Sequence, residues 1–299
     1  MKRLEPVNPA SLERRSGMTT AASLDLKDIA RVDPRRVSSV YGPVDSWRVG
    51  RSLGIDLLLL NSICSFNCVY CQLGQIQVPT RTRRVFVPTR KVVSDLRQAG
   101  WSDCDIITFS GSGEPTLAAN LGEVIRTVAA MTGKPILVLT NGSLLADPQV
   151  RRELSAADRV YVKLDAADED VFARINRPVE GVDLEEIVEG AAAFRRQFKG
   201  LLGVQIMLLP PNQDQVEGLI PLLRRIQPEE VQVNTPTRPH ASEWHLESRG
   251  SRGPAAYPAK PLKPLSARRI GLISRRLRQA AGLQVVSVFD RPLQGGDQR

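Results

Sequence analysis

From Gly54 onward the chain alternates between short apolar runs and longer amphipathic stretches. GIDLLLL, DIITF, PILVL, RVYVKL, LLGVQIMLL and EVQVN are short and apolar, as strands buried on both faces are. Between them, KVVSDLRQAG, LGEVIRTVAAMTG, DPQVRRELSAA, DEDVFARI, DLEEIVEGAAAFRRQF and QVEGLIPLLRRI read as helices. Gly100 and Gly133 close two of these, and Asp147 with Pro148 opens a third. Six strands, each but the last followed by a helix, imply right-handed crossovers and a parallel sheet. Six units are too few for a closed eight-stranded barrel, so the expected fold is α/β, a partial (βα)6 TIM-like barrel. In RVYVKLDA, alternation puts Tyr161, Lys163 and Asp165 on an inner polar face and Val160, Val162 and Leu164 on the other.

Residues 1–36 lack this rhythm and are expected to form a flexible, basic tail, with the core barrel at 37–235. Residues 236–265 are rich in Pro, Ser and Arg, which predicts a long loop. SARRIGLISRRLRQAAG then reads as a basic amphipathic helix and QVVSVF as a candidate last strand. Residues 236–299 are thus a basic C-terminal extension of loop plus helix.

Hydrophobic residues make up 42% of the 299, enough for a sizeable core. No apolar run approaches the roughly 18–20 residues of a membrane helix, and the first residues hold no apolar signal region. The expectation is a cytoplasmic protein with no membrane partner, whose thiols stay reduced. The net charge of +9 is uneven. Lys and Arg outnumber Asp and Glu by 10 to 6 over residues 1–53, fall behind by 19 to 22 over 54–235, and lead by 12 to 4 over 236–299. Within the middle, TRTRRVFVPTRK carries Arg81, Arg83, Arg84, Arg90 and Lys91 and no acid. Such a strip is a solvated surface, an RNA contact or a dock for an acidic protein. Aromatic content of 5% gives few stacking platforms for single-stranded bases.

The distinctive stretches follow the predicted strands, where parallel α/β folds carry their sites. The cysteines follow the first strand, SGSGEPT the second, TNG the third and LDA the fourth. NSICSFNCVYCQLG holds Cys64, Cys68 and Cys71, three of the four cysteines. A closed zinc site wants four N or S ligands, and the two histidines, His240 and His245, lie far away in the loop and read as surface residues. Cys68-Val-Tyr-Cys71 is a CxxC suited to thiol redox, which leaves Cys64 unexplained. An iron–sulfur cluster on three thiolates is the third reading, because a [4Fe–4S] cluster then keeps one iron open. Cys104, isolated, reads as a small buried hydrophobe.

The CxxxCxxC spacing, with aromatic Tyr70 before the last cysteine, resembles the radical S-adenosylmethionine (radical SAM) superfamily. GSGE at 111–114 is similar to that family's GGE motif, with Ser112 in the place of the first glycine and Gly113-Glu114 matching. The resemblance implies a radical SAM barrel, a [4Fe–4S] cluster on Cys64, Cys68 and Cys71, and S-adenosylmethionine on the open iron. It implies an oxidoreductase- or lyase-type enzyme that cleaves S-adenosylmethionine to a 5′-deoxyadenosyl radical, which abstracts hydrogen from a substrate. The residues it implies around S-adenosylmethionine are Tyr70, Gly111, Ser112, Gly113 and Glu114, with Glu114 at the methionine amino group; Asn141 of TNG is a further candidate contact in the lumen, with a plain Asn-Gly turn as its alternative reading. Lys163 is expected at the carboxylate of S-adenosylmethionine and Asp165 at its ribose or at the substrate. These two are also the only candidates for catalytic roles, and a strand-end ion pair is their alternative reading. Gln205 and Asn234 are weaker lumen positions.

YGPV, GRSLGIDLLL, CVYCQLG, FSGSGEPTL, VLTNGSLL, LDAAD, RINRP and VNTPTRP, from about Val40 to Pro239, together resemble the group related to tRNA wyosine (4-demethylwyosine) synthases. Those synthases carry additional N-terminal cysteines for a second cluster, and this chain has none before Cys64. The expectation is therefore a relative with an unassigned substrate, with tRNA modification as the alternative. The expected partner is an acidic electron donor, flavodoxin or ferredoxin, on the basic strip. The alternative partner is tRNA or another RNA, held by Arg81–Lys91 and by Arg268, Arg269, Arg275, Arg276 and Arg278 of the C-terminal helix. A non-catalytic metal or thiol-redox protein using only Cys68 and Cys71 is the remaining class.

Overall fold

The computed structural model describes residues 37–238, 240–250 and 257–290. The tail expected at 1–36, residues 251–256 of the expected loop and the chain beyond 290 lie outside the described residues. Eight strands form one sheet: β1 (Val40–Ser46), β2 (Gly50–Ile55), β3 (Ile106–Phe109), β4 (Ile136–Thr140), β5 (Arg159–Lys163), β6 (Leu201–Met207), β7 (Glu230–Asn234) and β8 (Gln284–Ser287). Their spatial order is their chain order, and the sheet ends at β1 and β8. β1 and β2 are antiparallel, and every later neighbouring pair is parallel. Seven helices connect them: α1 (Thr89–Ala99), α2 (Leu121–Thr132), α3 (Pro148–Leu154), α4 (Glu169–Ile175), α5 (Leu184–Gln197), α6 (Val216–Ile226) and α7 (Ala267–Ala281). A parallel sheet that winds in one direction without closing is a partial TIM-like barrel. No helix among the described residues is long and apolar enough to cross a membrane.

Three features differ from the sequence expectation. QVVSVF forms β8 on the edge of β7, so the barrel has seven parallel strands rather than six. An antiparallel strand, β1, precedes them. Its Gly42-Pro43 pair and the bulge between Tyr41 and Val44 suit an edge strand. The first parallel strand is also displaced. GIDLLLL is not one strand, because β2 stops at Ile55. Asp56 turns the chain there: its Oδ1 accepts the N–H groups of Leu58 at 2.9 Å and Leu59 at 3.1 Å. Leu57, Leu58 and Leu59 are buried all the same, so their apolar character reflects packing rather than strand.

Strand alternation divides the interior. Ile107, Phe109, Val138, Val160, Val162, Leu202, Val204, Val231 and Val233 pack with helix residues such as Val92, Val124, Val188 and Leu219 in the main core. The intervening residues face the lumen. Ile106, Leu137 and Tyr161 form a separate cluster that fills its N-terminal end. Tyr161 donates to Glu230 Oε1 at 2.9 Å, and Gln205, Gln232 and Glu230 continue a buried chain of amides and carboxylate. The expected division of RVYVKL into inner and outer faces therefore holds.

Candidate functional site

The cysteine stretch crosses the C-terminal ends of the strands, and its backbone is tied down on two sides. Ile63 N–H donates to Ser112 O at 2.8 Å, and Glu114 N–H donates to Ile63 O at 3.0 Å. On the far side, Asn67 N–H reaches Asn176 O at 3.0 Å, and Val69 N–H reaches Ile175 O at 2.9 Å. RINRP, at the end of α4, is thus the second rail of the loop. Tight turns at Cys68–Cys71 and Cys71–Gly74 bring the thiols together. Cys64, Cys68 and Cys71 are half-buried and unbridged. Cys64 Sγ accepts from Phe66 N–H at 3.4 Å and Asn141 Nδ2 at 3.5 Å, and Cys68 Sγ accepts from Asn176 Nδ2 at 3.5 Å. Burial, joined by repulsion from Cys71, pushes the Cys68 thiol up to about 12. Burial raises Cys71 to about 11 and Cys64 well above the usual thiol value. A metal centre among them would supply the charge that favours their ionised form.

Among the described residues no three or more His, Cys, Asp or Glu side chains converge as ligands of one metal ion. A cubane takes one thiolate on each of three irons. Neighbouring N–H donors to sulfur are what a charged cluster needs, and two of the three thiols have side-chain donors.

The Gly-rich turn follows β3. A side chain at Gly113, φ +146°, would put its Cβ 1.7 Å from Ile63 O, so only glycine lets the cysteine stretch lie this close. Gly111, φ +128°, is pressed on Asp56 in the same way. Ser112 is held by Asp56 Oδ2, which accepts from Ser112 Oγ at 2.6 Å and from its N–H at 3.2 Å. Arg249 Nη1 donates to the same oxygen at 2.9 Å and stacks on the Tyr41 ring. Glu114 is buried, and its carboxylate is engaged from within. Oε1 accepts from Thr116 N–H, Thr116 Oγ1 and Thr140 Oγ1, and Oε2 accepts from Asn141 N–H. Burial nonetheless holds its carboxyl above the usual range, because all four donors are neutral. Glu114 thus joins the ends of β3 and β4, a role beyond the ligand contact expected from sequence.

Asn141 stands beside Cys64 and Ser65. Lys163 and Asp165 form the ion pair that was the alternative reading, at 2.9 Å. The pair also belongs to the rim. Tyr70 donates its hydroxyl to Asp165 Oδ2, Asn176 Nδ2 donates to the same oxygen at 2.8 Å, and Lys163 Nζ lies 5.3 Å from the Tyr70 ring centre. Cys64, Cys68, Tyr70, Glu114, Asn141, Lys163 and Asp165 are thus linked by contacts along one rim. Gln205 is turned to Gln232 at 2.9 Å, below it, and Asn234 ends β7.

Sequence reasoning missed Asp56, Asn176, Arg249 and the loop after β7. His240 is half-buried, with Nδ1 2.8 Å from Cys71 O, and His245 is buried against Tyr257, so neither is the surface residue expected. Trp244 is buried with Leu73 and Ile76 beside Cys64 and Cys71, and Arg238 donates to Gln72 Oε1 at 2.5 Å. The basic strip is also largely spent within the fold. Arg83 pairs with Glu153, Arg81 with Glu186 and Lys91 with Asp95, while Arg84 lies over Phe86. On α7, Arg269 pairs with Asp214 and Arg276 with Glu217, and Arg278 donates to Val285 O. Cys104 is buried, as expected.

A sequence profile described as the radical SAM superfamily matches residues 58–223, more than half of the chain. A UPF0026 protein of Synechocystis sp. is 46% identical over 251 residues, covering 83% of this chain and 95% of its own length. A UPF0026 protein of Methanocaldococcus jannaschii is 34% identical over 211 residues, covering 68% and 65%. Among solved structures, TYW1 with a lysine-pyruvate adduct bound matches with a TM-score of 0.56 at 18% identity, over 80% of this chain and 77% of that one. Native anSMEcpe with bound AdoMet matches with a TM-score of 0.54 at 16% identity, over 80% and 64%. At such identities the structural matches speak for the fold alone. The profile and the Synechocystis relative speak for more: this chain belongs to the radical SAM superfamily, which binds a [4Fe–4S] cluster and S-adenosylmethionine, and to the UPF0026 group.

Proposed function

We propose that the chain cleaves S-adenosylmethionine reductively and abstracts a hydrogen atom from a substrate in the barrel lumen. Cys64, Cys68 and Cys71 hold the cluster. The observation that carries this reading is the meeting of three features on one rim: a three-cysteine loop, a glycine turn pressed against it at Gly113 and the Lys163–Asp165–Tyr70 node. When bound, the reduced cluster would supply the electron that breaks the sulfur–C5′ bond and thus the radical that abstracts hydrogen from the substrate. The chain's own residues orient and shield. Lys163 offers an ammonium to a carboxylate such as that of the methionine moiety, held in place by Asp165 and Tyr70. Ile106, Leu137 and Tyr161 seal the lumen from below against water.

The partner we propose is an acidic electron donor. RNA binding draws its affinity from many cations on phosphates. Of the ten cations in the basic strip Arg81–Lys91 and on α7, the side chains of only Arg84, Arg90, Arg268 and Arg275 have no acid or carbonyl partner among the described residues.

The test is anaerobic reconstitution with iron and sulfide, then EPR with and without S-adenosylmethionine, with 5′-deoxyadenosine assayed in the same tube. A reduced [4Fe–4S] signal that changes on adding S-adenosylmethionine, with 5′-deoxyadenosine formed, is expected. Cys64→Ala should lose both, whereas a thiol-redox protein using only Cys68 and Cys71 would be indifferent to it. A folded protein that builds no such cluster sinks the proposal.

A further inference from the structure

We propose that Asn141 and Asn176 are positioning residues that set the reduction potential of the cluster through N–H···S hydrogen bonds. This rests on reading Cys64 and Cys68 as cluster ligands. Each asparagine sends Nδ2 to a different sulfur, Asn141 to Cys64 and Asn176 to Cys68, both at 3.5 Å. They come from separate elements, Asn141 just past β4 and Asn176 at the end of α4. Neither is free to turn away. Asn141 Nδ2 also donates to Ser65 Oγ at 2.8 Å, and its Oδ1 accepts Ser143 N–H at 2.9 Å. Asn176 Nδ2 also donates to Asp165 Oδ2 at 2.8 Å and lies 3.5 Å from the Tyr70 hydroxyl.

The carbonyl of Asn176 argues for its amide. Asn176 is 1% exposed, and its Oδ1 is buried with no partner among the described residues. An unsatisfied buried acceptor is a cost that an apolar side chain of similar shape would avoid. What an asparagine adds at this position is the donor, and the donor points at a ligand sulfur and at the carboxylate beside it. Reduction adds negative charge to a cluster and to its thiolates. An N–H dipole fixed on a sulfur stabilises that state, and so raises the potential. Because the same amide of Asn176 holds Asp165, the Tyr70–Lys163 node and the cluster share one side chain.

The test compares wild type with Asn176→Leu, Asn141→Ser and the double variant after anaerobic reconstitution. Iron and sulfide per chain and circular dichroism establish that cluster and fold are intact. A potentiometric titration followed by EPR then gives each midpoint. The expected result is full cluster content with a midpoint more negative than wild type in each single variant, and more negative again in the double. Unchanged midpoints with full clusters overturn this inference and leave the proposed function standing. A wild type that builds no [4Fe–4S] cluster overturns the proposed function instead. Where a variant fails to hold its cluster, Asn176→Ser or Asn141→Ala takes its place in the titration. A lower midpoint there supports the inference, and loss of the cluster from these too overturns it, since the asparagines would then be holding the cluster rather than tuning it.

Discussion

At the N-terminal end of the strands the lumen is filled by Ile106, Leu137 and Tyr161, and at the C-terminal end it is ringed by Asp56, Glu114, Asn141, Asp165 and Asn176. The floor is stabilised by packing, with one polar chain through Tyr161, Glu230 and Gln232. The rim consists of buried polar groups that hold one another in position. Burying a carboxylate is costly unless donors and cations meet it. Asp56 meets that cost with five donors from three chain segments, and Asp165 with Tyr70, Asn176, Met207 N–H and Lys163. The difference teaches where stability ends and site geometry begins. A floor tolerates a poorer fit, whereas a rim that loses one partner leaves a charge stranded.

The sharpest way to break the rim is Arg249→Ala. Asp56 has no side-chain exposure and Arg249 only 8%. Removing the guanidinium leaves a buried carboxylate without its cation, which costs roughly 3–5 kcal/mol. Urea unfolding measures it, and iron content after reconstitution should fall too, because Ser112 and the loop that covers Cys71 are both moored at this point. A loss no greater than the roughly 0.5 kcal/mol of an ordinary surface substitution would show that the rim is not held by Asp56.

The same contrast separates what was legible in the sequence from what was not. Floor and outer core follow from a period of two, so RVYVKL already divides into its two faces. The cysteines and GSGE are contiguous motifs and stood out directly. The rim's partners are not contiguous: Asp56 meets Ser112 across 56 positions and Arg249 across 193, and Cys68 meets Asn176 across 108. No local pattern announces such pairs. Asp56 was misread for a related reason. It lies in an apolar run that resembles one strand, and the side-chain turn that ends β2 depends on a single carboxylate. His240 and Trp244 were lost in a Pro-rich stretch whose composition suggests a solvated loop, although its place in the fold is against Cys71.

On the floor, Leu137→Ala should cost about 3 kcal/mol, in the middle of the range for a core leucine. Reconstituted iron per chain should stay at the wild-type value, which is what distinguishes floor from rim. A cluster lost along with stability would merge the two regions. Tyr161→Phe is milder. It removes one hydrogen bond to Glu230, which keeps Gln232, so about 1 kcal/mol is expected by urea unfolding.

The smallest effect tests why two well-bonded carboxylates titrate in opposite directions. Glu114 on the rim receives only neutral donors, and burial keeps its carboxyl above the usual value of 4.5. Asp95 on α1 is buried as well, and burial pushes it upward too. It accepts Ser39 N–H and Ser39 Oγ, each at 2.7 Å, and adds the Lys91 ammonium at 2.9 Å. Together these outweigh burial and hold it below the usual value of 3.8. Asp95 is less deeply buried than Glu114 and it adds a cation, and these two differences together set the opposite directions. A depressed carboxyl contributes stability that is full above its unfolded pKa and is lost as pH falls through the lower folded pKa. The unfolding free energy of wild type minus that of Asp95→Asn should therefore shrink on acidification from about pH 6 to about pH 3. In a Lys91→Met background the loss should be smaller and complete at a higher pH, because the carboxyl has lost the charge that favoured its ionised form and its folded pKa lies closer to the unfolded value. A difference that grows with acid would mean that burial dominates at Asp95 as it does at Glu114, and that outer and rim carboxylates obey one rule.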